Sequence, residues 1–372
     1  MRIRSLDFMH LAIPFKGEFE HGKKARHTGD TILVKLYTDA GTTGWGEILA
    51  RSYVTGETTS NIMGDDGEAL ATAIVGQRFN DQTALAAWLS RGLHDWQNQL
   101  AAFGGIELAL WQCLEQEHNV DMESLIGPRR QHALGCCVTV GFDATLDSLR
   151  ARAIDARLKR ATVVKLKVGL GTAEDSERLR TLSSHFKHQM PLRIDGNGTF
   201  NLTDAIALLQ ACHDLPVQSF EQPLASSSSD LDNLLKELHE VTGIPLMADE
   251  CVCSIEQAER WADSGAYQIF NIRLGKHGGL LGSRHVRDCA LNKGIGVVAG
   301  SMVGETGLLT QASTLFASRS DSLPYVEGLG QNQSWLTTDP VERIGDVTDT
   351  LGSFRFRFDA CQPLMQSSRN FQ

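Results

Sequence analysis

The sequence predicts an α/β fold in which a (β/α)₈-type barrel follows an α+β front domain. After about residue 135, eight short apolar runs alternate with amphipathic stretches, which is the pattern of parallel strands joined by helices. Eight such units in about 200 residues fit a closed barrel, and the front of the chain lacks this rhythm. We therefore expect a front domain over residues 1–130, a barrel over 131–337, and a C-terminal segment over 338–372 that packs back on the front domain.

The front domain begins with three predicted strands and ends in helices. Ile3–Ile13 alternates, Thr31–Thr38 is rich in β-forming residues, and a turn then leads to a third strand at Gly44–Glu47. Three strands joined in this way predict an antiparallel sheet. Phe15–Gly29 is polar and rich in glycine, so we expect a mobile loop there. Residues 84–117 carry a helical period.

The eight apolar runs of the barrel region are the candidate strands. They are Leu134–Val140, Thr162–Val168, Leu192–Asp195, Val217–Phe220, Leu246–Asp249, Ala266–Ile272, Gly296–Ala299 and Tyr325–Glu327. The helical stretches between them include Thr172–Phe186, Thr203–His213, Asp230–Val241, Ser254–Ser264 and Gly279–Asn292. A doubly wound open sheet is the structural alternative, but it would have fewer strands and usually a phosphate-binding glycine turn. The segment Gly169-Leu-Gly171 follows a strand but lacks the third glycine of such a turn.

Composition and charge argue against several classes of protein. The chain has 372 residues and a formal net charge of -10, so a nucleic-acid backbone would be repelled. No stretch approaches the roughly 20 apolar residues of a membrane span. The N-terminus lacks the apolar core of a signal peptide, so we expect a cytoplasmic protein with no membrane partner. The 8 cysteines fall in no zinc-binding spacing and are expected to be reduced thiols.

Three acidic residues end successive predicted strands. Asp195, Glu221 and Asp249 are spaced by about one strand–helix repeat each. Because the carboxyl ends of barrel strands meet at one face, their carboxylates are expected to lie together. Oxygen-only ligands in that number suit a hard divalent cation, so we expect Mg²⁺, or alternatively Mn²⁺, at this face. A single strand-end acid is as readily a helix cap or a solvated loop residue, and it is the register of three that indicates a metal site.

Basic residues lie on the strands that flank these acids. Lys165 and Lys167 are two apart, so both point to the same side of their strand, into the barrel. Burying two ammonium groups side by side lowers their pKa, which makes at least one of them a candidate neutral base. Arg273 and Lys276 come on the opposite side of the acids. A guanidinium cannot be deprotonated, so Arg273 can orient an anion only, whereas Lys276 could act as a base if it reaches inward from its loop.

Three further polar residues follow the last two strands. Ser301 and Glu305 come after the seventh strand, and Glu327 ends the eighth. Glu327 is the better functional candidate because a carboxylate that ends an apolar strand faces the mouth of the barrel, whereas Glu305 is equally suited to cap the next helix. A metal ion opposite lysines indicates abstraction of a proton α to a carboxylate, with the metal holding the resulting enediolate.

Five short motifs together resemble one known family. They are Lys165-Leu-Lys167, Asp195-Gly-Asn197, Glu221-Gln-Pro223, Ala248-Asp-Glu250 and Lys276-His-Gly-Gly279. In this order, along the whole barrel, they resemble the muconate-lactonizing-enzyme (muconate cycloisomerase) subgroup of the enolase superfamily. The resemblance implies that the three strand-end acids are the metal ligands, that Lys167 is the acid/base lysine, and that Lys165 assists it electrostatically.

The resemblance also concerns the front of the chain, which is similar to the capping domain of that family. It implies that the loop Phe15–Gly29 is a mobile lid over the substrate and that Arg51–Thr55 is a second contact region. It further implies a small carboxylate substrate and a homo-oligomer. The residues expected to contact the substrate are Arg51, Tyr53, Asn197, Ser301 and Glu327.

The sequence departs from the family pattern at Arg273, which aligns with the family's second catalytic lysine. A racemase or epimerase with two opposed bases needs a neutral amine on each face, which arginine cannot supply. We therefore expect a cycloisomerase or a related lyase that uses Lys167 alone. The alternatives within the superfamily are an N-acylamino acid racemase or epimerase, with Lys276 as second base, and an o-succinylbenzoate-synthase-like dehydratase.

Two related types of site match less well. Dipeptide epimerases resemble the family and carry an Asp-x-Asp pair at the last strand, where this chain has Val326-Glu-Gly-Leu329. No histidine follows the seventh strand, so a mandelate-racemase type of His-Asp pair is unsupported. From other classes, a non-catalytic protein that binds small acids, and an aldolase-like barrel with a Schiff base at Lys165 or Lys167, stay open.

Overall fold

The structure is a computed structural model, and it describes the chain apart from a few short segments. Those segments are residues 22–23, 119, 121, 132, 143–144, 226–229, 321–322, 324, 330–334, 344–349 and 352–353. For residues 17–21, 24–26, 354 and 358 it describes the backbone only.

Strands and helices are numbered here in chain order. The strands are β1 (Ile3–His21), β2 (Lys24–Thr38), β3 (Thr43–Ile48), β4 (Gly135–Val140), β5 (Val163–Lys167), β6 (Leu192–Asp195), β7 (Val217–Glu221), β8 (Leu246–Ala248), β9 (Ile269–Ile272), β10 (Gly296–Ala299), β11 (Tyr325–Glu327), β12 (Val341–Arg343), β13 (Phe354–Phe356) and β14 (Met365–Phe371). The helices are α1 (Thr59–Ile62), α2 (Asp65–Ile74), α3 (Gln82–Asp95), α4 (Leu100–His118), α5 (Met122–Ile126), α6 (Leu146–Leu158), α7 (Thr172–His185), α8 (Leu202–Ala211), α9 (Leu231–Thr242), α10 (Ile255–Ser264), α11 (Gly279–Asn292), α12 (Gly307–Ser318) and α13 (Phe358–Cys361).

The second part of the chain forms a closed parallel barrel, which confirms the predicted fold class. β4 to β11 pair in chain order, and β11 closes the barrel by pairing with β4. Every predicted strand is present. β9 begins at Ile269 rather than at Ala266, because Gly265 ends α10 in a left-handed conformation and the next two residues are buried before pairing starts. The helices α6 and α12 were not among the predicted helical stretches.

The front domain has a mainly antiparallel sheet with the order β14-β1-β2-β3. Strand β14 comes from the C-terminal segment and pairs with β1, so that Phe371 is the register partner of Leu6. Helix α4 is buried around its whole circumference from Leu100 to Leu114, because it packs on β3 and also on α11 of the barrel. The close approach of β3 requires glycine: a Cβ at Gly46 would lie 1.7 Å from the carbonyl oxygen of Gly105.

The prediction of a loop over residues 15–29 is wrong for the described part of that segment. β1 and β2 continue through it as a long hairpin, with Phe19 opposite Arg26 and His21 opposite Lys24. Two antiparallel strands satisfy each other's backbone hydrogen bonds, so a hairpin of this kind needs no apolar face. Its polar sequence lacks the alternation of apolar residues from which the other strands were predicted. The hairpin is held at its base, where the amide of Thr337 donates to the carbonyl of Pro14 over 2.9 Å. Its role as a lid stays a prediction.

Two buried carboxylates of the front domain fasten it to the barrel. Glu107 of α4 accepts hydrogen bonds from the amides of Leu280 and Leu281, each at 3.0 Å, at the N-terminus of α11. Glu47 of β3 accepts from the amide of Thr306 at 2.8 Å and from its hydroxyl at 2.7 Å, at the N-terminus of α12. Both helices follow strands that end at the predicted site, so these contacts fix the front domain relative to that face of the barrel. In the described residues, no helix is long and apolar enough to cross a membrane.

Candidate metal and acid–base site

The lysines and acids predicted from the strand ends lie side by side inside the barrel. Lys165 is the register partner of Arg193, and Lys167 is the partner of Asp195 one step nearer the carboxyl end. Asp195 is in turn the partner of Glu221 on the next strand. All five side chains are buried. The period of two in β5 and β6 therefore places two layers of charged side chains in the barrel, as the sequence indicated for the lysines.

Glu221 is the central acceptor of this network. Its Oε2 accepts from Lys165 Nζ at 3.2 Å and from Arg193 Nη2 at 2.7 Å. Its Oε1 accepts from Asn271 Nδ2 at 2.7 Å and lies 3.5 Å from Arg273 Nη2. Burial alone would raise the pKa of Glu221, but the three cations hold it well below its ordinary value. Glu221 is therefore ionised at neutral pH.

Lys165 and Glu327 form a further part of this ion-pair network. Glu327 accepts from Arg193 Nη1 at 2.5 Å and from Lys165 Nζ at 3.2 Å. Burial lowers the pKa of Lys165, but Glu221, Glu327 and Asp195 together raise it above its ordinary value, so Lys165 keeps its proton. Glu327, predicted to contact the substrate, is placed in these ion pairs, and such a contact stays a prediction.

Lys167 has the opposite electrostatic environment. Burial lowers its pKa, and the charge of Lys165 lowers it further, while Asp195 opposes both. Its Nζ donates to Oδ1 of Asn197 at 2.8 Å and lies 3.8 Å from Oδ2 of Asp195. Two neighbouring lysines thus have pKa values that move apart, with Lys165 as a fixed cation and Lys167 as the one that can release a proton.

Asp249 is held by the two cations from the other side of the barrel. Lys276 Nζ donates to Oδ1 of Asp249 at 2.8 Å and to its carbonyl oxygen at 2.5 Å. The guanidinium of Arg273 contacts Oδ2 of the same carboxylate. Lys276 is fully buried, and burial lowers its pKa to about 8. Lys276 therefore does not lie in an exposed loop, and its amine is directed at Asp249.

Three residues of this site were not predicted. Arg193 and Asn271 lie two residues before Asp195 and Arg273, so the same period of two that marked Lys165 could have identified them. Glu250 was quoted only as part of a motif. Its Oε1 accepts from Asn197 Nδ2 at 3.0 Å, and burial, with the charges of Asp195 and Glu221, raises its pKa to about 7.

The predicted contacts from the front domain differ from one another. Arg51 is buried, and its guanidinium donates to the carbonyl oxygens of Asp30, Ala50 and Val303. It therefore ties the front sheet to the loop after β10. Tyr53 is exposed, and Ser301 is partly buried at the start of that loop. Their contact with a substrate stays a prediction.

A cavity lies at the end of the segment 51–55, between the front domain and the barrel. It has a volume of about 180 Å³, and its lining includes Thr55, Asn98, Glu250 and Ser254. Glu250 connects it to the barrel interior through Asn197. The segment 51–55, predicted as a second contact region, thus ends at a cavity next to the charged network.

The donor set fits a divalent cation in kind, although its members are engaged with protein cations. Asp195, Glu221 and Asp249 offer carboxylate oxygens from three successive strands, which are the ligands that Mg²⁺ prefers. Among the described residues, no three acidic, histidine or cysteine side chains are gathered as a metal-binding group. Arg273 contacts two of the three carboxylates. An ion at this place would be held by these three acids once the guanidinium has moved aside.

Comparison with known proteins gives matches along most of the chain. The family model "Enolase C-terminal domain-like" matches residues 148–350, and the model "Mandelate racemase / muconate lactonizing enzyme, N-terminal domain" matches residues 9–127. An L-Ala-D/L-Glu epimerase of Clostridium acetobutylicum is 27% identical over 323 residues, which cover 86% of this chain and 87% of the relative. The o-succinylbenzoate synthase of Bacillus subtilis is 27% identical over 321 residues, covering 86% and 82%.

A solved structure extends the similarity of fold to the full length. A dipeptide epimerase from Cytophaga hutchinsonii, in complex with Mg and the dipeptide D-Ala-L-Val, has a TM-score of 0.87, with 100% of both chains covered. Its sequence identity of 21% supports the fold alone.

Proposed function

The chain belongs to the enolase superfamily, and on this premise we propose that it is a metal-dependent enzyme that removes the proton α to the carboxylate of a small substrate. The resemblance noted in the sequence is thereby confirmed at the level of the superfamily. The relatives named above are epimerases and an o-succinylbenzoate synthase, so they support the racemase, epimerase and dehydratase alternatives better than a muconate cycloisomerase. We propose a one-base elimination of the dehydratase type as the reaction.

The observation that carries the proposal is the difference between the two lysines of β5. Lys165 is a permanent cation because three carboxylates surround it, whereas burial favours the neutral amine of Lys167. A pair of like groups with diverging pKa values separates an electrostatic role from a proton-transfer role. Lys167 Nζ would take the proton, and Asn197 would orient it by accepting a hydrogen bond from it.

The other residues would stabilise the charge that develops on the substrate. Lys165 supplies a fixed positive charge next to the reacting face, and Arg273 supplies one from the strand on the opposite side of the acids. Asp195, Glu221 and Asp249 would hold the Mg²⁺ ion. When bound, the ion supplies a positive charge that stabilises the carboxylate oxygens of the substrate as negative charge builds on them.

Arg273 is the reason to propose one base rather than two. An arginine side chain keeps its proton, so it cannot return a proton to the second face of the α carbon. A syn-elimination needs a group on one face only: Lys167 would take the α proton and, as the ammonium, return it to the β-hydroxyl, which leaves as water from the same face.

Epimerisation is the second candidate, because several relatives are epimerases and because the pKa of Lys276 is lowered to about 8. For this reaction Lys276 would have to leave Asp249, to which its amine donates two hydrogen bonds.

Solvent deuterium exchange distinguishes the two candidates. The protein is loaded with Mg²⁺ and incubated in D₂O with L-Ala-L-Glu, with L-Ala-D-Glu and with a panel of β-hydroxy and N-acyl carboxylates, and the α-proton signal is followed by NMR. The proposed reaction predicts exchange or elimination from one stereoisomer only, abolished in K167M and retained in K276M. Interconversion of both stereoisomers that requires Lys276 would establish the epimerase instead. An enzyme whose K167M variant turns over like the wild type would contradict Lys167 as the base.

A further inference from the structure

The position of Arg273 is unusual because it lies on two of the carboxylates assigned to the metal ion. Its guanidinium contacts Oδ2 of Asp249 and is 3.5 Å from Oε1 of Glu221. The side chain reaches there across Gly300, where a Cβ would lie 2.8 Å from Cγ of Arg273 and 2.0 Å from Oδ1 of Asn271. Arg273 is only 5% exposed. The absence of a side chain at Gly300 thus gives Arg273 the space that it needs to reach the two carboxylates.

The charges around this position balance without any metal ion. We call the following ten side chains the barrel mouth: the acids Asp195, Glu221, Asp249, Glu250 and Glu327, and the bases Lys165, Lys167, Arg193, Arg273 and Lys276. Counted as ionised, they carry equal numbers of positive and negative charges. A divalent cation would add two positive charges to this buried group, where repulsion between like charges is weakly screened.

Of the bases next to Asp249 and Glu221, Arg273 is the one that must respond by moving. A guanidinium cannot lose its proton when a further cation arrives, so an arginine at this place can relieve the repulsion only by moving. Arg193 is fixed from two sides by Glu221 and Glu327. Arg273 contacts Asp249 but reaches Glu221 only at 3.5 Å, and, unlike Arg193, it comes from the strand end that faces the mouth.

We propose that Arg273 competes with the divalent cation for Asp249 and Glu221, so that it weakens metal binding and is displaced from both carboxylates when the metal binds. The inference rests on the proposed function, since it takes these acids as the metal ligands. Arg273 is in this respect a positioning residue: without the metal it neutralises the acids and keeps them in place, and with the metal its cation is released toward the substrate side of the barrel.

The test is a direct measurement of metal affinity. Mn²⁺ is titrated into the full-length apoprotein, and free Mn²⁺ is followed by electron paramagnetic resonance. R273M keeps the length of the side chain but removes the charge, and it should bind Mn²⁺ at least tenfold more tightly than the wild type. R273K keeps a charge that can be lost, and it should fall between the two. The matched control is R287M, which removes another buried arginine, one that donates to the carbonyl of Ile126, and it should bind as the wild type does.

The melting temperature gives a second readout on the same samples. A ligand that binds only the folded state stabilises it by an amount that grows with the logarithm of its affinity, so at equal concentration Mn²⁺ should raise the melting temperature more in R273M than in the wild type. A purely structural role for Arg273 predicts unchanged or weaker Mn²⁺ binding in R273M and R273K, and that result would overturn the inference while the proposed function stands. Absence of Mn²⁺ binding in the wild type and in both variants would overturn the inference together with the metal part of the proposed function.

Discussion

The protein treats the buried carboxylates of two of its regions in opposite ways. In the barrel mouth, Glu221 and Glu327 are paired with lysine and arginine, which hold their pKa values below the ordinary value against the effect of burial. At the contact between the domains, Glu47 and Glu107 accept hydrogen bonds from backbone amides and from hydroxyl or indole groups, and burial raises the pKa of each to about 7. We call Glu47, Glu107 and the helix N-termini that they contact the domain joint.

Burial raises the pKa of the carboxylates in both regions, and the difference shows that a cationic partner outweighs this effect whereas neutral hydrogen-bond donors do not. In the mouth, lysine and arginine keep Glu221 and Glu327 ionised, as a site that binds a metal ion and stabilises an anion requires. In the joint no cation opposes burial, so the pKa of each carboxylate lies near 7 although its hydrogen bonds lower it, and the domains are fastened without a buried ion pair. Variants that remove a charge from the mouth, or a carboxylate or a hydroxyl group from the joint, test this conclusion.

The largest effect is expected from Lys167, the base of the barrel mouth. K167M should lower the rate of α-proton abstraction by about 10² to 10⁴-fold, because this is the usual contribution of a positioned general base. The measurement is single-turnover exchange in D₂O with whichever substrate of the panel described above reacts. Its control is K236M, at an exposed position of α9, which should keep full activity. A loss of less than tenfold in K167M would remove Lys167 from its proposed role.

A large loss of stability is expected when a mouth carboxylate loses its charge. E221Q leaves Lys165, Arg193 and Arg273 without their shared anion, and an uncompensated buried charge costs about 3–5 kcal/mol. The free energy of unfolding in urea at pH 7 measures it. E240Q, on the exposed side of α9, should change stability by less than about 0.5 kcal/mol. If E221Q were as mild as E240Q, the cations would not depend on Glu221, and the contrast between the two regions would disappear.

The sequence was sufficient to predict the elements that carry the mouth but not the partners of its charges. The eight strands and Asp195, Glu221 and Asp249 follow from a repeat of fixed length, because each βα unit brings its strand end to the same face. The repeat does not show which cation lies on which acid, since that depends on side chains from non-adjacent strands, such as Arg193 reaching Glu327. Glu107 was still less visible, because an acid inside a buried helix has no sequence period that points to the amides of another domain.

The domain joint predicts a pH dependence of stability. The folded-state pKa values of Glu47 and Glu107 are raised from 4.5 to about 7. A raised pKa means that the stability contributed by the protonated acid is fully present below pH 4.5 and is lost as the pH rises to about 7. For one such group the loss reaches about 3 kcal/mol, at about 1.4 kcal/mol for each pKa unit.

E107Q tests this pH dependence against the wild type. Glutamine cannot ionise, but its NH₂ group accepts no hydrogen bond, whereas both oxygens of a protonated carboxyl group retain lone pairs, so we expect E107Q to be about 1–3 kcal/mol less stable at pH 5. Between pH 5 and pH 8 the deficit should shrink, because the wild type alone carries the cost of ionising residue 107. Comparison of the two proteins at each pH removes the contributions of other groups, among them Glu305, whose pKa burial also raises, to about 8. A deficit that stays constant with pH would show that Glu107 is ionised throughout, as in the mouth.

The smallest and most selective effect is expected at Thr31, whose hydroxyl donates to Oε1 of Glu47 at 3.0 Å. This hydrogen bond lowers the pKa of Glu47, so its removal in T31V should raise that pKa and make the ionised form more costly in the folded state. The variant should lose about 1 kcal/mol, with the greater loss at pH 8. T314V also removes a buried hydroxyl, but one that donates to the carbonyl of Thr310, so its loss should be the same at pH 5 and pH 8. Equal pH dependence in both variants would mean that the hydroxyl of Thr31 does not affect the ionisation of Glu47. A steeper dependence in T31V alone would show that a single hydroxyl group shifts the charge state of the carboxylate to which it donates.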